Sequence, residues 1–260
     1  MKIVVPVKQV AVLDEEFDVL EDRPGVDPDA LDWELNEWDE FSLETALQLA
    51  EAEGGSEVVV ITVGAEEAED GLRSCLAKGA DRAQRIWDDS LEDVDPLAVA
   101  RVLAAAVERE SADLVLCGVQ SSDGVHSATG IALAAHLDLP RVAVVKGLEY
   151  SGGAATVERE LEGGLVENLR VQLPALFTIQ TGINEPRYAN LRAIKQAKEK
   201  QLDVVSLGDL GLDAQAVDSA ASSRVRSMAP PDTGGGAEML DGSAEAVAGR
   251  IAEIVKERMG

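Results

Sequence analysis

One stretch of this chain concentrates the residue types from which a phosphate site can be built. Gly118-Val119-Gln120-Ser121-Ser122-Asp123-Gly124-Val125-His126-Ser127-Ala128-Thr129-Gly130 leaves an apolar run that ends at Cys117 and leads into the apolar segment Ile131–His136. Gly118, Gly124 and Gly130 permit close backbone approach or unusual dihedrals. Ser127, Thr129 and the first amides of a following helix are suited to holding an anion at a helix N-terminus. The loop contains no Lys or Arg, so a phosphate would rely on amides and hydroxyls. Asp123 opposes an anion unless it points away or binds a ribose hydroxyl. The same composition also describes an ordinary loop, and a lone loop histidine such as His126 is more often a surface residue than a ligand.

Other chemistries lack their residues. There is no GxxxxGK followed by Ser or Thr, no GxGxxG after the first apolar run and no GxSxG, so P-loop, standard dinucleotide and hydrolase-elbow readings fall away. His126 and His136 have neither HExxH spacing nor cysteine company, which argues against a metal site. With 49 acidic against 23 basic residues and a net charge of −26, broad nucleic-acid binding is excluded by repulsion of phosphates. The acidity reads as solubility or adaptation to salt. The two cysteines, Cys75 and Cys117, form no CxxC and fit a reducing compartment. Met1–Val7 carries no targeting pattern, and no apolar run approaches the roughly 18 residues of a membrane span. The expectation is a cytoplasmic chain with no membrane insertion, and with no catalytic centre of its own: not an enzyme.

Three β-branched apolar runs, Ile3–Val7, Val58–Val63 and Leu114–Cys117, read as buried parallel strands. Helical spacing recurs between them at Leu43, Ala46, Leu47 and Ala50, again over Glu66 to Lys78 with Gly79 as the stop, and at Val99, Val102, Leu103, Ala106 and Val107 behind Asp95-Pro96, an N-cap with proline at the first helical position. Such alternation predicts an α/β fold, a mostly parallel sheet flanked by helices. Three segments then lie where open sheets bind ligands, beyond the strand ends: Pro6-Val7-Lys8, Val63-Gly64 and Gly118 to Gly130. After Pro140, Arg141–Leu148, Ala155–Glu160, Val166–Leu173 and Leu176–Gln180 read as strands joined by short turns, some of them antiparallel additions. A helix follows over about Asn190 to Lys200. The expected division is an α/β nucleotide-binding core over 1–201 and an extended C-terminal arm over 202–260. Within the arm, 207–237 reads as linker. Its last helix carries Val247, Ile251, Ile254 and Val255 on one face, to dock on its own core or on another subunit.

The stretch from Thr181-Gly-Ile-Asn-Glu-Pro-Arg-Tyr-Ala-Asn-Leu-Arg to Lys200 closely resembles the signature of electron transfer flavoprotein β subunits. Val157-Glu-Arg-Glu-Leu-Glu-Gly-Gly164, Glu167 and Leu173-Pro-Ala-Leu-Phe-Thr178 resemble the family's other hallmark. The likeness spans essentially the whole chain and is weakest in 10–30 and 212–240. It implies an adenine nucleotide alpha hydrolase-like core that binds AMP structurally through Pro6, through Asn36, Glu37, Trp38 and Asp39, through Val63, and through Gly118 to Thr129. It implies a heterodimer with an α subunit that mainly holds a redox-active FAD, near which Trp38 would lie; Leu13 stands where some members carry a tyrosine. It implies docking of acyl-CoA or other dehydrogenases on the loop at Asn184–Leu191. Leu191 is the inserted residue, beside a basic island of Arg187, Arg192, Lys195, Lys198 and Lys200, where the residues alone also allow a core leucine. Glu160 would pair with an arginine of the mobile flavin domain. The role implied is electron transport, from dehydrogenases to electron transfer flavoprotein–quinone oxidoreductase or another acceptor. Two other readings stand beside it: a bifurcating member with a second FAD in place of AMP, and a stand-alone adenine-nucleotide-binding stress or signalling protein.

Overall fold

A computed structural model describes residues 1–13, 19–20, 23–27, 31–92, 94–230, 236–237 and 239–259. The elements in chain order are β1 (Lys2–Pro6), β2 (Gln9–Leu13), β3 (Leu31–Leu35), α1 (Glu37–Glu53), β4 (Glu57–Val63), α2 (Glu69–Lys78), β5 (Arg82–Ile86), α3 (Pro96–Glu110), β6 (Leu114–Gly118), α4 (Thr129–His136), β7 (Arg141–Ser151), β8 (Ala154–Glu160), β9 (Val166–Gln172), β10 (Ala175–Ile179), α5 (Leu191–Ala197), β11 (Leu202–Val205), α6 (Ala214–Ala220) and α7 (Ala244–Met259).

Side-chain alternation along the central strands creates two cores, one on each face of the sheet. Ile3, Val5, Val58, Val60, Leu114, Leu116 and Phe177 point to one face, beneath α1 and α2. Val4, Val59, Ile61, Val115 and Leu176 point to the other, beneath α3 and α4. A strand buried on both faces must be apolar at every position, which is why these runs are continuous. The nine strands paired among the described residues run in the order β11-β5-β4-β1-β6-β10-β7-β8-β9. All neighbours are parallel except β7–β8 and β8–β9, which are antiparallel. The expected fold class is therefore the observed one, antiparallel additions included. Gly79, at φ 138°, stops α2 where an L side chain would be strained.

Three differences from the sequence reading have physical causes. β5 (Arg82-Ala-Gln-Arg-Ile86) was not expected, because its polar side chains hide a strand. They are satisfied by ion pairs: Arg82 with Glu57 and Glu110, and Arg85 with Glu69. β2 and β3 form a separate antiparallel hairpin in the weakly patterned N-terminal region. Leu202–Val205 pairs with β5 as an edge strand, and Leu207, Leu212 and Val217 are buried with the α3 core. Residues 202–221 thus pack on the α/β body, and Ser222 and Ser223 are still tied to it by hydrogen bonds to Asp95. Pro231, Gly234 and Gly235 of the expected linker lie outside the described residues. Helix α7 buries none of its residues, and Ile251 and Val255 are exposed.

At the strand ends opposite the crevice described below, Glu110 accepts hydrogen bonds from Lys2, Arg82 and Gln84. Arg82, then Lys2, hold its carboxyl down to about 2 from 4.5, against the cost of burial. A carboxylate depressed on folding contributes stability that is present above its unfolded pKa and is lost as the pH falls through its folded value. Glu110→Gln should therefore cost roughly 3 kcal/mol at neutral pH. It should also flatten the loss of stability between pH 4.5 and 2. Urea unfolding across that range measures both.

Candidate functional site

β1 and β6 are neighbours, but β4 and β5, which follow β1 in the chain, lie on one side, and β7 to β10, which follow β6, lie on the other. Their C-terminal ends therefore splay at a switch point, where open α/β sheets form a crevice. A pocket of about 250 Å³ lies there. It is lined by Pro6, Asn36, Asp39, Val63, Gly118, Val119, Gln120, Ser121, Gly124, His126, Ser127, Ala128 and Thr129 from the sequence-predicted set. Of that set, Glu37, Trp38, Ser122, Asp123 and Val125 stand in the same segments without lining it. Val7, Lys8, Cys117 and Gly130 line it as chain neighbours of the predicted residues. Val94, Pro96, Val99 and Leu103 close the far wall from the start of α3. Their apolar helical spacing was legible in the sequence, but nothing local pointed it at the crevice.

The first turn of α1 holds both lips of this crevice. Asp39 accepts the Lys8 N–H (2.8 Å), just past β1, on one carboxyl oxygen. It accepts the Gly118 N–H (3.1 Å), at the end of β6, on the other. Burial pushes the Asp39 pKa up to about 7, against the opposing pull of the Lys8 amide, the Asn36 side chain and the Gly118 amide. Asn36 precedes α1 yet does not cap it with its side chain. Its amide instead donates to the Gln120 carbonyl (2.9 Å) and accepts from the Ser122 N–H (3.2 Å), pinning the loop. Trp38 is half-buried and donates from Nε1 to Gln180 Oε1 (3.1 Å); Gln180 was not singled out from sequence. Leu13 closes β2, and its side chain lies outside the described residues.

The loop glycines serve the protein's own packing. A Cβ on Gly118 would lie 2.5 Å from Asp39 Oδ1 and 2.7 Å from Trp38 Cβ, and one on Gly130 would lie 2.8 Å from Thr178 Cγ2. Neither glycine has a positive φ, so close approach is the reason for both. The strained backbone falls elsewhere, at Val125 and Ser127, both at φ 51° on either side of His126. Left-handed non-glycine residues are sparse and cluster at binding sites. Ser127 donates to Gln120 Oε1 (3.0 Å). The Thr129 hydroxyl has no partner among the described residues, and α4 carries no side-chain cap. Hydroxyls and uncapped amides could hold an anionic group beside a small apolar wall. Gly118→Ala should destabilise by about 1–3 kcal/mol through overpacking, read as a lower melting temperature of the full-length chain.

The second predicted site is a surface. Tyr188 and Leu191 are 98% and 80% exposed, so Leu191 is no core residue. Beneath them the loop is clamped to α1. Arg187 pairs with Glu44 (2.7 Å) and Glu51 (2.5 Å), and Asn184 donates to Phe41 O and Thr45 Oγ1. Asn190 caps α5 by accepting the Ala193 N–H. The expected basic island shrinks accordingly. Arg187 is spent on the clamp, and Lys200 donates to the Leu76 and Ala80 carbonyls at the end of α2, which leaves Arg192, Lys195 and Lys198. Glu160 lies exposed at the end of β8, opposite Val166.

Among the described residues no cluster of His, Cys, Asp or Glu could hold a metal ion, and no helix is long and apolar enough to cross a membrane. Residues 25–210 match the electron transfer flavoprotein domain. The chain is 47% identical, over the full length of both proteins, to the electron transfer flavoprotein subunit beta of Methylophilus methylotrophus. It is 38% identical to the subunit beta of Homo sapiens over 82% of this chain and 84% of that one. It is 38% identical to the subunit beta of Bacillus subtilis over 78% of each. Identity of this extent, over the same strands that frame the crevice and the loop that presents Leu191, means that the chain belongs to the β-subunit family of the electron transfer flavoproteins.

Proposed function

We propose that this chain is the nucleotide-binding and docking half of a heterodimeric electron carrier that works in the cytoplasm. The observation that carries the reading is Leu191: an almost fully exposed leucine on a loop whose base is clamped by Arg187, Glu44 and Asn184. A preorganised loop loses little entropy on binding, and a small apolar anchor, Leu191 with Tyr188 beside it, ringed by charge suits a partner that must come and go. Acyl-CoA or other dehydrogenases are the proposed donors at this loop, and electron transfer flavoprotein–quinone oxidoreductase or another carrier is the acceptor.

An α subunit is the proposed second half, and the FAD it mainly holds supplies the electron-accepting ring when bound. The role of this chain's own residues is binding and orientation. Trp38, oriented by Gln180, would border the flavin. Glu160 would offer the mobile partner domain an exposed ion pair worth only about 0–1 kcal/mol, weak enough to break at each swing. The arm beyond the core would carry the apolar face of α7 onto the α subunit, which accounts for a helix that buries nothing against its own chain. AMP is the proposed ligand of the crevice. The alternative, a second FAD in its place as in a bifurcating member, is separated by counting flavins: one per complex with AMP, two without.

The test is to produce the chain with an α-type partner and purify by a tag on this chain alone. A yellow complex that a dehydrogenase reduces in the presence of its acyl-CoA is the expected result. Leu191→Ala should keep the colour and slow that reduction about tenfold, with stability unchanged. A chain that stays colourless and alone would overturn the proposal.

A further inference from the structure

The crevice faces an electrostatic difficulty that its Ser- and Gly-rich loop does not resolve. Asp39 lines it, and Asp123 stands between two lining residues, Ser121 and Gly124. The chain as a whole carries a net charge of −26. One carboxyl group thus lines the crevice and a second stands in the loop beside it, so an anionic ligand must bind close to both. Distant charges are screened within about 8 Å at physiological salt, so the balance is decided by groups at the mouth.

Among the residues lining the pocket Lys8 is the single Lys or Arg. Its Nζ lies 2.7 Å from both carboxyl oxygens of Asp123. Its backbone N–H donates to Asp39 at 2.8 Å. One residue, just past the end of β1, thus answers both carboxyls. The contact joins positions 115 residues apart, so no motif within the loop displays it. Lys8 is half-exposed, and an ion pair of that kind contributes little to holding a fold. Its consequence falls on whatever charge enters the crevice.

We propose that Lys8 is a specificity-determining residue of the nucleotide site: its ammonium cancels Asp123 at the crevice mouth, so that the crevice admits the phosphate of a nucleoside monophosphate and has no cation left for a second or third phosphate. The inference rests on the nucleotide reading above. It separates two roles in that site. The uncapped amides of α4 and the Thr129 hydroxyl supply direct phosphate donors, and Lys8 removes the local repulsion that would otherwise offset them.

Calorimetric titration of the full-length chain, first stripped of any nucleotide retained on purification, with adenosine, AMP and ADP tests this on wild type, Lys8→Met, Asp123→Asn and the double variant. Lys8→Met keeps the backbone amide that Asp39 needs. It should weaken AMP about tenfold while adenosine moves by less than about twofold. Asp123→Asn frees the ammonium and should tighten AMP several-fold and ADP by more. The double variant should return AMP to near the wild-type value. If the ratio of AMP to adenosine affinity is the same in all four proteins, Lys8 has no such role. The Asp123→Asn arm decides alone should Lys8→Met fail to fold. If the wild-type chain binds neither adenosine nor AMP, the nucleotide reading falls and this inference with it.

Discussion

A single carboxyl group ties the crevice together. Asp39 lies in the first turn of α1, and its two oxygens accept backbone N–H groups from strand ends that diverge, Lys8 after β1 and Gly118 at the end of β6. Buried amides at such a split have no strand partner and must be paired some other way. A carboxylate can accept from both sides at once, which an amide or hydroxyl of the same reach cannot do as well. The arrangement carries a cost, since burial drives the group toward protonation. It also accounts for Gly118, where even a methyl group would strike Asp39 and Trp38. Asn36, one turn earlier, extends the same anchoring to Gln120 and Ser122. Both lips of the pocket hang from one helix turn, so its shape is set before any ligand arrives.

What the sequence made legible follows from where packing leaves a local pattern. Val58–Val63 and Leu114–Cys117 are buried on both faces and read as strands without ambiguity. Asp95 caps α3 through the Leu97 and Ala98 amides as its position before Pro96 suggests. β5 left no such pattern, because Arg82, Gln84 and Arg85 are paired by residues from Glu57, Glu69 and Glu110. Leu202–Val205 has too few residues to announce an edge strand. Pro6, Val63 and Gly118 to Thr129 were found as three separate loops, since strand ends can be read locally, whereas Asn36 and Asp39 came only from the family resemblance. What joins them could not be read so: the α3 wall, the bond of Trp38 to Gln180, and the meeting of Lys8 with Asp123 are all long-range contacts. The same limit applied to the loop that presents Leu191, where Arg187 reads as a surface cation until Glu44 and Glu51 are placed facing it.

These features divide the labour within the chain. Ion pairs at one end of the sheet hold the strands in register, while the other end is opened by the β1/β6 split for binding. The loop that presents Leu191 is clamped to α1, the same helix whose first turn shapes the pocket. Both surfaces are thus indexed to one rigid element, as sites that require precise placement generally are. The apolar face of α7, unburied within the chain, belongs to the same logic of a subunit completed by its partner.

The proposed occupant of the switch-point crevice is an adenine mononucleotide. Mass spectrometry of the small molecules released on denaturing the purified two-subunit complex tests it most directly. One AMP per copy of this chain, alongside a single FAD per complex, is the predicted result. A second flavin in place of AMP, or no adenine nucleotide at all, would contradict it.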